Sequence, residues 1–268
     1  MLSGKITNPT INSNKEKIDK LLQNINIQTI RLNNYKSTKK NSYESIIPLK
    51  IYQTWHTKNL PPLMQQAVNL IKQQHPNFEH FLFDDNDCRE FIKNNFDASI
   101  LKAFDSLIPG AYKADLWRYC VLYINGGIYL DIKYACINTF RLIELTEKEH
   151  YVIDIDGSSI YNALLACLPK NQILLKCINQ IVINVNNKFY GSSCLDPTGP
   201  GLLSKFFSKL EKIGFELSHI MNHRNNSKFI LYKNISILKM YENYYYEHNR
   251  FKKVDHYSEL WTRRRIYK

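Results

Sequence analysis

The chain has 268 residues, 44% of them hydrophobic, and a formal charge of +12. That length and composition fit one large α/β domain with a sizeable core and argue against a disordered chain. No apolar run nears the roughly 20 residues that span a bilayer, and Met1–Lys20 lacks the apolar core of a signal peptide. Residues 1–45 are rich in Asn, Lys and Ser and read as a polar extension, with one weak helix over Lys15–Asn26. The folded domain is expected to occupy 46–268. Ile51–Trp55 reads as a strand and Pro62–His75 as a helix, with Pro near its start and Pro76 just past its end. Phe78–Phe83 reads as a strand. Asp84 to Asp87 then supply capping carboxylates for a helix to Asn95, although Asp84 or Asp85 at a strand end is also placed to touch a ribose. Ala111–Ile124 reads as a helix, Ile128–Ile132 and Tyr151–Ile155 as strands, and Asn171–Val185 as a helix. A turn at Thr198–Gly201 leads into a helix over Leu202–Ile213. Phe229–Tyr232 and Ile235–Leu238 close the series as short strands. This order predicts an α/β sandwich with a mostly parallel central sheet.

The charge is concentrated at the ends. Residues 1–45 and 250–268 each carry a net +5, which leaves only +2 for the middle. No nucleic-acid motif accompanies these basic tails, so nucleic acid is not expected as the partner. Six cysteines are scattered without C-x-x-C spacing, which argues against zinc. Cys120, Cys136 and Cys167 sit in apolar contexts and read as small buried hydrophobes. Free thiols and the absence of a leader or span make a soluble, cytoplasmic protein the expectation. In a chain so rich in Asn, the sequons at Asn225 and Asn234 carry no information.

The most informative stretch runs from Ala114 to Asp131. In the helix, Leu116, Cys120 and Tyr123 recur at core spacing. Asp115, Arg118 and Tyr119 lie three and four apart on another face. Asn125-Gly126-Gly127 ends the helix, because glycine accepts the left-handed conformation needed there. The following strand is apolar except for Asp131 at its end, and ligands of open α/β sheets bind beyond the carboxyl ends of strands. Taken singly, Asp115 and Arg118 read as a surface pair worth about 0.2–0.5 kcal/mol, and Asp131 as a turn cap. Taken together, the two acids and the guanidinium suit a sugar-nucleotide site.

The same residues resemble glycosyltransferase family 32, the DxD-containing sugar transferases related to fungal α-mannosyltransferases and clostridial glucosylating toxins. Ile47–Trp55 resembles the family's opening strand, His75-Pro76 through Asp85 a later segment, and Ala114–Tyr119 its SDxxRY helix, with Ala114 in place of Ser. Gly126–Asp131 matches the approach to DxD, while Asn162-Ala163, Gly199–Gly201 and His256–Trp261 resemble looser blocks. The resemblance covers about residues 46 to 261. It implies a GT-A fold and transfer of a sugar, with retention, from a UDP- or GDP-sugar to a glycan or protein acceptor. It further implies that Trp55 stacks on the donor base and that Asp115 and Arg118 hold ribose and sugar hydroxyls. Asp131 would bind Mn²⁺ or Mg²⁺ on the diphosphate, and Asp131 and Asp115 would be the catalytic carboxylates.

Two departures stand out. Lys133 occupies the place of the second Asp of DxD. Three readings follow: its ammonium contacts the diphosphate and makes metal dependence weak, it faces water, or activity is lost. The first is favoured, because the other donor residues are present. Leu260-Trp261 replaces a Ser-Trp pair, so His256 or Ser258 would have to supply any metal contact from that end. The alternative to an enzyme is a catalytically inactive relative that binds nucleotide sugars or glycans.

Overall fold

A computed structural model describes residues 42–268, so the helix expected over Lys15–Asn26 lies outside the described residues. Strand β1 (Lys50–Thr54) is central to the first sheet. Helix α1 (Pro62–Gln74) starts on a proline and turns Met64, Ala67, Val68 and Ile71 inward, one apolar stripe at helical spacing. Strand β2 (Glu79–Phe83) then lies parallel to β1. Asp84 accepts hydrogen bonds from the amides of Asn86 and Asp87 and caps α2 (Asp85–Asn95) in a reciprocal capping box, which satisfies helix amides that would otherwise lack partners.

Helix α3 (Ala98–Ser106) had no counterpart in the sequence reading. Helix α4 (Gly110–Asn125) is buried along most of its middle, polar residues included. It ends at Gly126, whose amide donates to Leu122 at φ +62°. Gly127 follows at φ +110°, where an added Cβ would stand 2.8 Å from the Lys50 carbonyl oxygen. Two glycines are therefore required where α4 meets β3 (Gly127–Leu130), a strand buried on both faces. Strand β3 is parallel to β1, and β6 (Leu164–Cys167) is antiparallel to β3. The first sheet thus runs β2-β1-β3-β6 and is mostly parallel, as expected.

The second sheet was only glimpsed in the sequence. It runs β4-β9-β8-β7-β5, with β4 at Tyr134–Cys136, β5 at Val152–Ile153, β7 at Leu217–Asn222, β8 at Ser227–Tyr232 and β9 at Ile235–Met240. Its pairings are antiparallel except β5 with β7. The strand expected to reach Ile132 stops at Leu130. The amide of Tyr134 bonds back to the Asp131 carbonyl oxygen at 3.0 Å, and this turn carries the chain from the first sheet into the second. Asp131 and Lys133 sit at that crossing.

Helix α5 (Gln172–Asn186) packs beside α4. The helix expected over Leu202–Ile213 is two short ones, α6 (Pro200–Ser204) and α7 (Lys209–Ile213), because Ser208 caps a new start with its hydroxyl on the Glu211 amide. Helices α8 (Tyr244–Phe251) and α9 (Tyr257–Thr262) complete the chain. Tyr43 and Ser45, counted in the expected extension, bond to Arg141 and to Thr146. All six cysteines are free, and five are buried.

Buried histidines make the fold acid-sensitive. His75 and His150 are each 4% exposed, and burial first, then a neighbouring cation, pushes both imidazoles down to about 4. In the unfolded chain they return to 6.5. Below 6.5 the unfolded state therefore binds more protons, and stability is lost as pH falls from 6.5 toward 4. A depression of this size is worth up to about 3 kcal/mol for each group. The urea midpoint should fall steeply between pH 7 and 4.5. A flat midpoint would show that these rings are protonated in the fold.

Candidate active site

The site is built around α4 and the end of β3. Asp115 and Arg118, one helical turn apart, are 6% and 5% exposed, which overturns the surface-pair reading. The Arg118 Nη2 stands 3.1 Å from the Asp115 Oδ1. Asn162 donates to that same oxygen at 2.9 Å, and Thr198 donates to Oδ2 at 2.7 Å. An added Cβ on Gly199 would stand 3.1 Å from Asp115 Oδ2, so the bare glycine lets this turn close over the carboxylate.

Arg118 links Asp115 to the strand end. Its Nη1 donates to the Asn162 carbonyl oxygen at 2.6 Å and lies 3.5 Å from the Asp131 Oδ1. Its guanidinium rests over the Tyr129 ring at 4.2 Å, and the Tyr129 hydroxyl donates to Asp131 Oδ1 at 2.8 Å. The remaining Asp131 oxygen is taken by the Lys133 ammonium in a close ion pair. That ammonium also lies 5.4, 5.5 and 5.9 Å from the ring centres of Tyr134, Tyr161 and Tyr244. The reading in which Lys133 faces water is therefore wrong. Its side chain is only 13% exposed, and three aromatic faces hold the cation in place.

The charges answer to these contacts. Burial alone would raise the Asp131 carboxyl, but Lys133 and Arg118 hold it below the usual carboxylate range. Burial raises Asp115 against the pull of Arg118, Thr198 and Asn162. Burial works against the charge on Lys133 too, yet Asp131 raises it above the ordinary lysine value.

These side chains floor a cavity of about 700 Å³ that also takes in Trp55, Asp85 and His256. Such a volume suits a small ligand or cofactor. Trp55 lines it too, with the rings of His56 and His248 centred 4.8 and 5.7 Å away. Asp85 lines the cavity beside Lys253, 3.7 Å distant, whereas Asp84 is committed to its cap. Ser258 does not line it. The hydroxyl of Ser258 is 2.7 Å from His256 Nδ1 at the start of α9.

The residues present do not fit the expected metal ion. A divalent cation wants several oxygen ligands, and among the described residues no group of three or more His, Cys, Asp or Glu side chains is placed to hold one. Asp131 is the one carboxylate at the DxD position, and Tyr129 and Lys133 engage its two oxygens. Unit charges 4 Å apart interact by about 4 kcal/mol at an effective dielectric near 20. A divalent ion on Asp131 would face roughly twice that repulsion from a neighbouring ammonium.

Several site residues escaped the sequence reading. Asn162 lies in a segment noted for its resemblance and Thr198 adjoins another, but no role was read for either, and only the fold shows them bonded to Asp115. His219 on β7 lies 2.8 Å from Asp154 Oδ1 through Nδ1 and stacks on Tyr161 at 3.8 Å. Its Nε2 is buried without a hydrogen-bond partner among the described residues. Lys228 on β8 lines the same cavity. Neither belongs to a recognisable motif.

Residues 61–151 match the family described as "Glycosyltransferase sugar-binding region containing DXD motif". Over 168 residues the chain is 31% identical to inositol phosphoceramide mannosyltransferase 3 of Schizosaccharomyces pombe, covering 62% of this chain and 46% of that protein. It is 25% identical over 181 residues to mannosyl phosphorylinositol ceramide synthase CSH1 of Saccharomyces cerevisiae, covering 67% and 47%. The chain thus spans about half the length of these curated relatives. A solved structure titled PaToxG Glycosyltransferase superposes with a TM-score of 0.46 at 16% identity, covering 71% of this chain and 76% of that one. The resemblance to the DxD-containing sugar transferases read from the sequence is borne out by these matches.

Proposed function

We propose that this relative of the DxD-containing glycosyltransferases moves a sugar from a nucleotide-sugar donor to a glycan or protein acceptor. The observation that carries the reading is the buried chain Asp115–Arg118–Asp131–Lys133 along the floor of a cavity of about 700 Å³. Four charges in that much burial are expensive to assemble for stability alone, and perturbed groups lining a cleft mark functional sites.

The roles follow from what each group has left to offer. Asp115 already accepts from Asn162, Arg118 and Thr198. A carboxylate offers about four acceptor positions, so roughly one remains for a ribose or sugar hydroxyl. Arg118 fixes Asp131 and contributes positive charge beside it. Departure of a nucleoside diphosphate builds negative charge on the leaving oxygens, and preorganised cations stabilise that charge without having to reorganise. Trp55 gives the cavity lining an aromatic ring on which a base could stack. Retention at the anomeric carbon remains part of this proposal. The relatives are named mannosyltransferases, so a mannose nucleotide is the donor to try first.

A second reading is a binding module without turnover, favoured by one observation, the ammonium that occupies Asp131. A thermal-shift screen of UDP- and GDP-sugars, followed by donor hydrolysis, separates the readings. A ligand that binds only the native state raises its melting temperature. Stabilisation with slow hydrolysis is the expected result. Stabilisation without turnover supports the binding module, and no stabilisation by any donor overturns both.

A further inference from the structure

Lys228 is a cavity charge that no motif accounts for. It lies on β8 opposite Met221, with its ammonium 6.0 Å from the Tyr161 ring centre. The Lys133 ammonium is 5.5 Å from the same ring. Lys133 is balanced by Asp131. Among the described residues Lys228 has no carboxylate within ion-pair distance, and its nearest acidic influences are Asp131 and Asp154. Burial, and then repulsion from Lys133, pull its charge below the ordinary lysine value. Burying an ammonium beside another is costly unless a counter-charge offsets it, and the described residues supply none at contact.

We propose that Arg118, Lys133 and Lys228 form a cationic cradle for the donor diphosphate, standing in for the divalent ion that a DxD site would hold. The proposal rests on the donor reading above and assigns a residue, Lys228, that no motif marks. The charge balance supports it. A site with two carboxylates at the DxD position needs an added cation before it can accept a diphosphate. Here one of those carboxylates is a lysine, and among the described residues that line the cavity seven lysines and arginines stand against five aspartates. An incoming diphosphate supplies the missing negative charge, whereas a divalent ion would add to the excess. The tyrosine faces around Lys133 keep that cation fixed, so it need not reorganise when the phosphates arrive.

Calorimetric titration of UDP and GDP into the full chain, in chelator and in Mn²⁺, tests this directly. Wild-type affinity should differ by less than about threefold between the two conditions, and Lys228→Gln should weaken UDP or GDP about tenfold in chelator. Lys228→Gln should leave uridine or guanosine binding within about twofold, and Lys228→Arg should restore most of the loss. A purely structural role would shift nucleoside and diphosphate affinity together, and that result would overturn the proposal. So would a wild-type affinity that rises more than about tenfold with Mn²⁺. Either failure leaves the donor reading standing. Absence of nucleotide binding under both conditions overturns donor reading and cradle alike. Wild-type Mn²⁺ dependence needs no variant, so the test survives if a substituted chain fails to fold.

Discussion

Replacing Asp115 with Ala should lower the unfolding free energy by about 3–5 kcal/mol, the usual cost of removing one member of a buried ion pair. The mutation removes a partner from three groups at once. Arg118, 5% exposed, keeps only Asp131 as an acidic partner, at 3.5 Å. The buried Thr198 hydroxyl loses its acceptor, and the Asn162 amide keeps only the Tyr119 hydroxyl at 3.0 Å. An unsatisfied buried donor costs about 1–3 kcal/mol, and the charge on Arg118 cannot be removed because guanidinium stays protonated. A helix-surface pair would cost only a few tenths of a kcal/mol. Urea denaturation discriminates between them, since a loss below about 1 kcal/mol would be too small for a broken buried pair. Donor affinity measured on the folded fraction should also fall, because Arg118 is no longer held against the cavity floor.

Asp131→Asn is expected to cut donor turnover by at least about 100-fold, the scale seen when one preorganised electrostatic group is lost. The amide has the carboxylate's shape and can still accept from the Tyr129 hydroxyl. What it lacks is the charge that holds Arg118 and Lys133 in place. The binding result separates two roles for this carboxylate. If Asp131 carried a metal ion, the variant would lose diphosphate affinity together with metal. If it anchors Lys133, the cavity becomes more positive, and UDP or GDP should bind at least as tightly while turnover fails. Wild-type turnover in the variant would remove Asp131 from the mechanism. Lys133→Asp is the reciprocal change, because it rebuilds a pair of carboxylates at the crossing between sheets.

Local pattern reached a good part of this molecule. Core spacing marked α4, flanking prolines marked α1, the glycine pair marked the sharp entry into β3, and Asp84 was legible as a cap because capping depends on near neighbours. The run from Asp115 to Asp131 was readable for the same reason, as helix, turn and strand are contiguous there. What stayed hidden depends on distant partners. Strand β6 is four apolar residues, Leu-Leu-Ala-Cys, whose state is set by pairing with β3, and short apolar runs do not distinguish helix from strand. Strand β7 carries His219 into the cavity only because β5 and β8 flank it. The break between α6 and α7 lay in one serine cap inside an apparently continuous pattern. For Lys133 the sequence established an ammonium where a carboxylate was expected, and no more. Its surroundings are Asp131 from its own turn, Tyr134 from β4, Tyr161 from the segment before β6 and Tyr244 from α8. Residue identity and local conformation were set by sequence neighbours. The environment that decides whether this cation is solvated or held beside a ligand came from segments as far as Tyr244, more than a hundred residues away, which only the packing of two sheets and α8 brings together.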